Sequence, residues 1–351
     1  MGLTLEQHAG THPTPAERIQ AVLEQCVPKS EHDIVGAMVF NLMLVAAIFS
    51  STLSPAMGDT PAYPDLPAVV AGHPIALIGD LQHTLFWERL IGRESNDSGR
   101  KQLVQALHRE SPGLLVLLGD MVSWGDSPSK WQDFDSLMAP FLAGKIPMLL
   151  APGNHDYMGN AQKARRNFEE RFAQLRLSHW YSRYYNGLGL IWLDSNRDEL
   201  SPEDWQEQKS WLKQTLADMD RDRSVRAVFV FQHHPPFTNS TVTDDNEAVQ
   251  ADFLPAFLAA RKTLAMITGH THSYEHFRSG GKDFLVTGGG GGPRVSLLKG
   301  KKSRHEDLFT SPSPRPLHFL IMYVRPDGVK IDVKGFQSPE PIDSFTLKFA
   351  P

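Results

Sequence analysis

Five short apolar runs, each leading into a cluster of metal-ligand-type residues, constrain this chain more than any other feature. Residues 75–78 lead to Gly79-Asp80-Leu81-Gln82-His83, and residues 114–118 to Gly119-Asp120. Residues 148–150 lead through Ala151-Pro152 to Gly153-Asn154-His155-Asp156. Residues 228–231 end in Gln232-His233-His234-Pro235, and 264–267 in Thr268-Gly269-His270-Thr271-His272. Short apolar runs bounded by turn residues read as buried strands. In open α/β sheets ligands bind beyond the carboxyl ends of the strands. Five strands that deliver Asp, Asp, Asn, His and His-x-His to one edge match what a polynuclear metal site needs. The glycines before Asp80, Asp120, Asn154 and His270 fit turns where the backbone comes close to the site.

Amphipathic segments at 99–109, 130–142, 161–174, 202–219 and 247–260 read as helices between these runs. Ser201 followed by Pro202, Glu203 and Asp204 is a helix-start signal. Alternating strand and helix gives an α/β fold. Segments 181–185, 284–287, 318–324 and 329–334 read as strands joined without helices, so a second, partly antiparallel sheet is expected. Lys and Arg total 35 against 40 Asp and Glu, a formal net charge of −5. That excludes a nucleic-acid partner held by bulk positive charge. The single cysteine, Cys26, excludes an intrachain disulfide and a cysteine zinc site. Trp124, Trp131 and Trp180 read as core or cleft wall, and residues 288–292 as a tight turn rather than a nucleotide cradle.

Residues 1–33 are polar. Residues 34–58 are uncharged and mostly apolar, and 34–53 reaches the ~20 residues of a membrane span. An anchor, or a signal peptide starting at Met38, is favoured over a buried helix. Arg18 and Lys29 before the run, and Asp59 and Asp65 after it, lean toward an exported, extracytoplasmic or periplasmic domain with membrane association through 34–53. A cytoplasmic location is the alternative. Residues 59–73, with Pro61, Pro64 and Pro67, read as a linker, and 74–351 as the folded domain. Residues 299–316 read as a mobile loop that covers the cleft.

The ordered set of Asp80 in a D-x-Q-H context, Gly119-Asp120, Gly153-Asn154-His155-Asp156, His233-His234-Pro235-Pro236 and Gly269-His270-Thr271-His272 resembles the calcineurin-like metallophosphoesterases, over residues 75–336. Each piece alone is a weak signal; the five in order are specific. The resemblance implies a four-layer α/β/β/α sandwich of two mixed sheets flanked by helices. It also implies a dinuclear centre whose activated hydroxide hydrolyses phosphate mono- or diesters. Asp120 would bridge the metals, Asp80, Gln82 and His272 would complete one, and Asn154, His233 and His270 would hold the other. His155 would face the substrate phosphate and protonate the leaving oxygen, with Asp156 orienting it. A bridging carboxylate can hold two cations ~3.5–4 Å apart, and a mixed N/O donor set suits Mn, Fe or Zn. Two departures stand out. Gln82 replaces the family's usual histidine, with His83 next to it as a substitute ligand, and Ser123 stands where purple acid phosphatases place tyrosine. A site weakened at Gln82 leaves a second reading, a non-catalytic phosphate-binding or scaffold domain.

Overall fold

Alternation along the strands decides how the molecule layers. The computed structural model describes residues 60–65 and 72–350. The apolar run 34–53 and most of the N-terminal sequence lie outside the described residues. Among those described, no helix is long and apolar enough to cross a membrane. The first half of the domain runs β1 (Ile75–Ile78), α1 (Phe86–Leu90), α2 (Asp97–Arg109), β2 (Leu114–Leu117), α3 (Pro128–Ala143), β3 (Met148–Leu150), α4 (Asn154–Tyr157) and α5 (Ala161–Arg171). It continues with β4 (Tyr181–Tyr185), β5 (Leu188–Trp192), α6 (Pro202–Arg221), β6 (Ala227–Phe231), α7 (Glu247–Asp252), α8 (Leu254–Ala259) and β7 (Thr263–Thr268). The strands β8 (Tyr274–Ser279), β9 (Lys282–Thr287), β10 (Phe319–Val324), β11 (Gly328–Lys334) and β12 (Asp343–Lys348) complete it.

Two six-stranded sheets result, ordered β12-β11-β10-β1-β2-β3 and β4-β5-β6-β7-β9-β8. Both are mixed: β1, β2 and β3 pair in parallel, as do β5, β6, β7 and β9, with antiparallel strands toward the edges. Successive side chains of a strand face opposite sides. On β5 and β6, Leu188, Leu190, Trp192, Phe229 and Phe231 therefore join the core shared with the first sheet. Ile191, Val228 and Val230 join a second cluster with Trp205, Leu212, Leu216 and Phe257 from the covering helices. The architecture is the expected sandwich of two mixed sheets flanked by helices.

Three elements depart from the sequence reading. The expected helix 247–260 is two short ones, because Pro255 has no N–H to continue the ladder. Strand β8 was hidden by its polar sequence: Glu275 and His276 are buried, but each has a partner, Thr238 and Asn239 for one and Asp283 for the other. Strand β12 is an edge strand with an exposed face. The proline-rich segment is also more than a linker. Tyr63 is buried against Phe172 and bonds Asp135, while the carbonyl of Pro64 accepts the N–H of Met148. The folded unit therefore includes residues before Pro74, and a compact unit spans Thr60–Pro351.

Candidate active site

The carboxyl ends of β1, β2, β3, β6 and β7 open onto one edge of the sandwich, and the chain turns sharply at each. Four of the seven non-glycine residues with positive φ among those described are Asp80, Asp120, His270 and His272, at φ 59, 57, 74 and 47°. That conformation costs a side-chain-bearing residue of order 1 kcal/mol or more and clusters at functional sites. Here it turns each side chain inward as its strand ends. Gly153 is required between two of the turns: a Cβ there would lie 2.3 Å from both the Asp120 nitrogen and its Oδ1.

Asp80, Asp120 and His233 are buried. Asp80 accepts the backbone N–H of His270 at 3.0 Å on both oxygens, and its Oδ1 lies 3.4 Å from His272 Nε2. Asp120 Oδ1 lies 3.4 Å from His233 Nε2, while Asp120 Oδ2 accepts from Gln82 Nε2 at 3.1 Å. His233 Nε2 also meets Asn154 Oδ1 and His270 Nδ1, both at 3.1 Å. Gln82 Nε2 is 2.9 Å from His272 Nε2. Two groups able to hold a cation emerge, Asp80 with Asp120 and His272, and His233 with His234 and His270. The seven residues expected to be ligands are thus brought together.

His155 sits at the open side, its side chain 23% exposed, with Nε2 3.9 Å from Asp120 Oδ2. Its Nδ1 faces the Ser123 carbonyl at 3.2 Å. Backbone carbonyls fix the inner histidines in the same way: Leu118 holds His233 Nδ1 at 2.8 Å, and Pro293 holds His272 Nδ1 at 3.0 Å. Metal-binding imidazoles are commonly oriented like this through their second nitrogen.

Unbalanced charge marks the cluster. Burial alone would raise the carboxyl of Asp120, but the His233 and His155 imidazoles hold it well below the usual range. Burial would lower His233, yet the Asp120 carboxylate and its hydrogen bond push it up to about 9. Burial, then the charge of the His234 ring, hold His270 well below the ordinary imidazole value.

The calcineurin-like phosphoesterase family model matches residues 73–274, more than half of the sequence. The chain belongs to the calcineurin-like phosphoesterase family. Purple acid phosphatase 18 of Arabidopsis thaliana is 28% identical over 203 residues, 52% of this chain and 44% of that protein. The chain therefore spans less than half the length of that relative. Among solved structures, GAP50, the anchor in the inner membrane complex of Plasmodium, aligns with TM-score 0.59 at 16% identity, over 80% of this chain and 89% of its own. A dimetal phosphatase from Danio rerio aligns with TM-score 0.53 at 15% identity, over 79% of this chain and 99% of its own. At these identities the likeness is one of fold.

Within this phosphoesterase domain three expectations are corrected. Asp156 does not orient His155. It is the third residue of α4, and its carboxylate reaches back to accept the backbone N–H of Gly153 (2.9 Å), Asp120 (3.0 Å), Met121 (2.9 Å) and Val122 (3.4 Å). It fastens the Asp120 loop to the His155 loop. Burial, then the Asp120 charge, push it up to about 7. His83 is not a substitute ligand: its ring turns away to Asp97 at 2.6 Å and Arg100 at 2.7 Å. The segment 299–316 is stitched down, with Arg304 and His305 bonded to the Asn239 side chain and His305 to Asp245. The glycine run at 288–292 does more than turn: a Cβ on Gly288 would strike Asp80, and one on Gly292 would strike His272. Ser195, Ser123 and Pro293, which position His234, His155 and His272, carry no motif signal, because two of them act through carbonyls.

Proposed function

We propose that this protein is a metal-dependent phosphoesterase hydrolysing phosphate mono- or diesters. Asp80, Gln82, Asp120 and His272 would hold one cation, and Asp120, Asn154, His233 and His270 would hold the other. One observation carries the reading: the buried Asp120 carboxylate turns one oxygen to His233 and the other to Gln82, one to each ligand group.

The donor chemistry fits cations. A carbonyl can only accept, so His233 and His272 keep their Nδ1 protons on Leu118 and Pro293. Each Nε2 is thereby directed inward, where it would give up its proton to a bound cation. His233 Nε2 there lies 3.1 Å from Asn154 Oδ1 and 3.4 Å from Asp120 Oδ1, so that three atoms able to ligate a cation converge. Gln82 Oε1 is buried without a hydrogen-bond partner; rotating the amide exchanges it with Nε2, between Asp120 and His272. When bound, a pair of cations supplies Lewis-acid charge to phosphoryl oxygens and acidifies a water. The mixed donors suit Mn, Fe or Zn.

The chain's own residues handle the leaving group. His155 keeps its Nδ1 proton on the Ser123 carbonyl, so Nε2 is the atom that carries a proton to the departing oxygen. Its partial exposure leaves room for an ester beside Asp120. Asp156 keeps Asp120 and His155 in register by holding both loops. The relative named as an acid phosphatase supports the same chemistry.

The test combines metal analysis of the purified protein with hydrolysis of p-nitrophenyl phosphate and bis(p-nitrophenyl) phosphate, for wild type and Asp120→Asn. The expected result is about two ions per chain, with turnover abolished by the substitution and by chelation. Turnover that survives both overturns the proposal. A folded, metal-loaded protein inert toward both esters supports the scaffold reading instead.

A further inference from the structure

Helix α1 starts four residues after Gln82 and projects from the rim of the site. None of its residues is buried. Phe86, Leu90 and Ile91 are 68, 65 and 77% exposed; Phe86 and Leu90, four apart, share a face, and Ile91 follows at the C-terminal end of the helix. The helix is held by its polar ends rather than by these side chains. Glu88 caps the N–H of Leu85 at 2.8 Å, Arg89 pairs with Asp97 at 2.9 Å, and Arg93 donates to the Pro293 carbonyl at 3.2 Å. That carbonyl also holds His272. Trp87 meets Trp124 edge to face, with centroids 6.1 Å apart. Trp124 follows Ser123, whose carbonyl holds His155. The projection therefore stands between the His272 side and the His155 side of the opening.

We propose that residues 86–91 form an interfacial anchor that dips into a lipid bilayer and sets the mouth of the site on the headgroup layer. The projection is convex and small. Its three exposed side chains fall far short of the roughly 800 Å² per partner that a stable protein–protein interface covers. At exposures of 65–77% these side chains stand in solvent rather than being enclosed as small-molecule pockets enclose a ligand. A deformable apolar medium covers them all at once. A half-exposed tryptophan and two arginines beside apolar residues are the composition of helices that lie in membrane interfaces. The same chain carries the uncharged apolar stretch 34–53, long enough to meet a bilayer. Docked in this way, the site takes phosphate esters presented at a lipid surface; this consequence rests on the phosphoesterase reading, whereas the docking does not.

The experiment uses full-length protein with vesicles of phosphatidylcholine and phosphatidic acid, part of the phosphatidylcholine being brominated. Bromolipid should quench wild-type tryptophan emission. The quench should shrink in Trp87→Phe and vanish in Phe86→Ser/Leu90→Ser/Ile91→Ser, even if the triple variant still sediments with vesicles through 34–53. The triple variant should lose roughly tenfold or more of its rate on vesicle phosphatidic acid, for loss of three buried apolar side chains, and keep its rate on p-nitrophenyl phosphate. Equal quenching in all three proteins overturns the anchor. So does a dimer that the triple substitution dissolves without any lipid quench, since the patch then belongs to a second copy. If neither ester is turned over, the phosphoesterase reading fails while the quench still decides the docking.

Discussion

Replacing Asp156 with asparagine separates two roles that its place beside His155 confuses. In the structure its two oxygens share four backbone N–H donors: Oδ2 takes those of Asp120 and Gly153, and Oδ1 takes those of Met121 and Val122. An amide keeps one oxygen and aims an NH2 group at the other pair. Two buried donors lose their acceptor, at ~1–3 kcal/mol each. Relief of the repulsion between Asp156 and Asp120, the second cause of the raised Asp156 carboxyl, returns part of that. The expected net loss is ~3 kcal/mol of unfolding free energy, read from urea denaturation of metal-free protein, with metal content falling alongside. Any remaining turnover should keep the wild-type pH profile, since the His155 ring rests on the Ser123 carbonyl. A loss under ~1 kcal/mol together with a displaced pH profile would refute the assignment and return Asp156 to orienting His155.

Three other outcomes follow from the same geometry. His179 is buried between Glu169 and Asp194; burial lowers its affinity for a proton, but hydrogen bonds to the two carboxylates outweigh it and push the ring up to about 9. Because that lies above the unfolded value near 6.5, its contribution is fully present below about pH 6.5 and is lost as pH rises through 9, up to ~3 kcal/mol in total. Denaturation at a series of pH values should therefore show a steeper alkaline decline for wild type than for His179→Gln, and parallel curves would contradict it. Gln82→His puts an imidazole where a neutral amide meets Asp120 and His272. The chelator concentration that strips the metal should rise roughly tenfold, the scale on which changes around a metal act; an unchanged midpoint would place position 82 outside the coordination sphere. Gly153→Ala drives a methyl into Asp120 and should cost ~1–3 kcal/mol by overpacking, with loss of metal; a variant that binds metal normally would mean the two loops are not in contact.

The ligand-bearing turns were legible because they obey two independent rules at once. Each follows a short apolar run, and each contains residues whose chemistry is rare at strand ends without a task. Asp80, Asp120, Asn154, His233, His270 and His272 are expected at the site on that basis, and the structure gathers their side chains. What the sequence could not convey is which atom each neighbour offers. Asp156 is an acidic residue beside a histidine, and the chain order alone suggests a side-chain pair. Its position as the third residue of a four-residue helix makes the backbone of three other loop positions its nearest donor set. His83 failed for the complementary reason. With Asp80 held in the left-handed region, the chain beyond it turns so that Gln82 is buried at the cluster while His83 meets Asp97 and Arg100. Motif order thus identifies the strand ends, whereas the positive φ at Asp80, Asp120, His270 and His272 sets the direction of the chain after β1, β2 and β7. Since glycine adopts positive φ without strain and Asp and His adopt it only at a cost, Asp80, Asp120, His270 and His272 are the positions that the surrounding packing must hold in place. Gly288 and Gly292, closed against Asp80 and His272, supply that packing, so the glycine run is part of the site's support and not a turn that happens to lie near it.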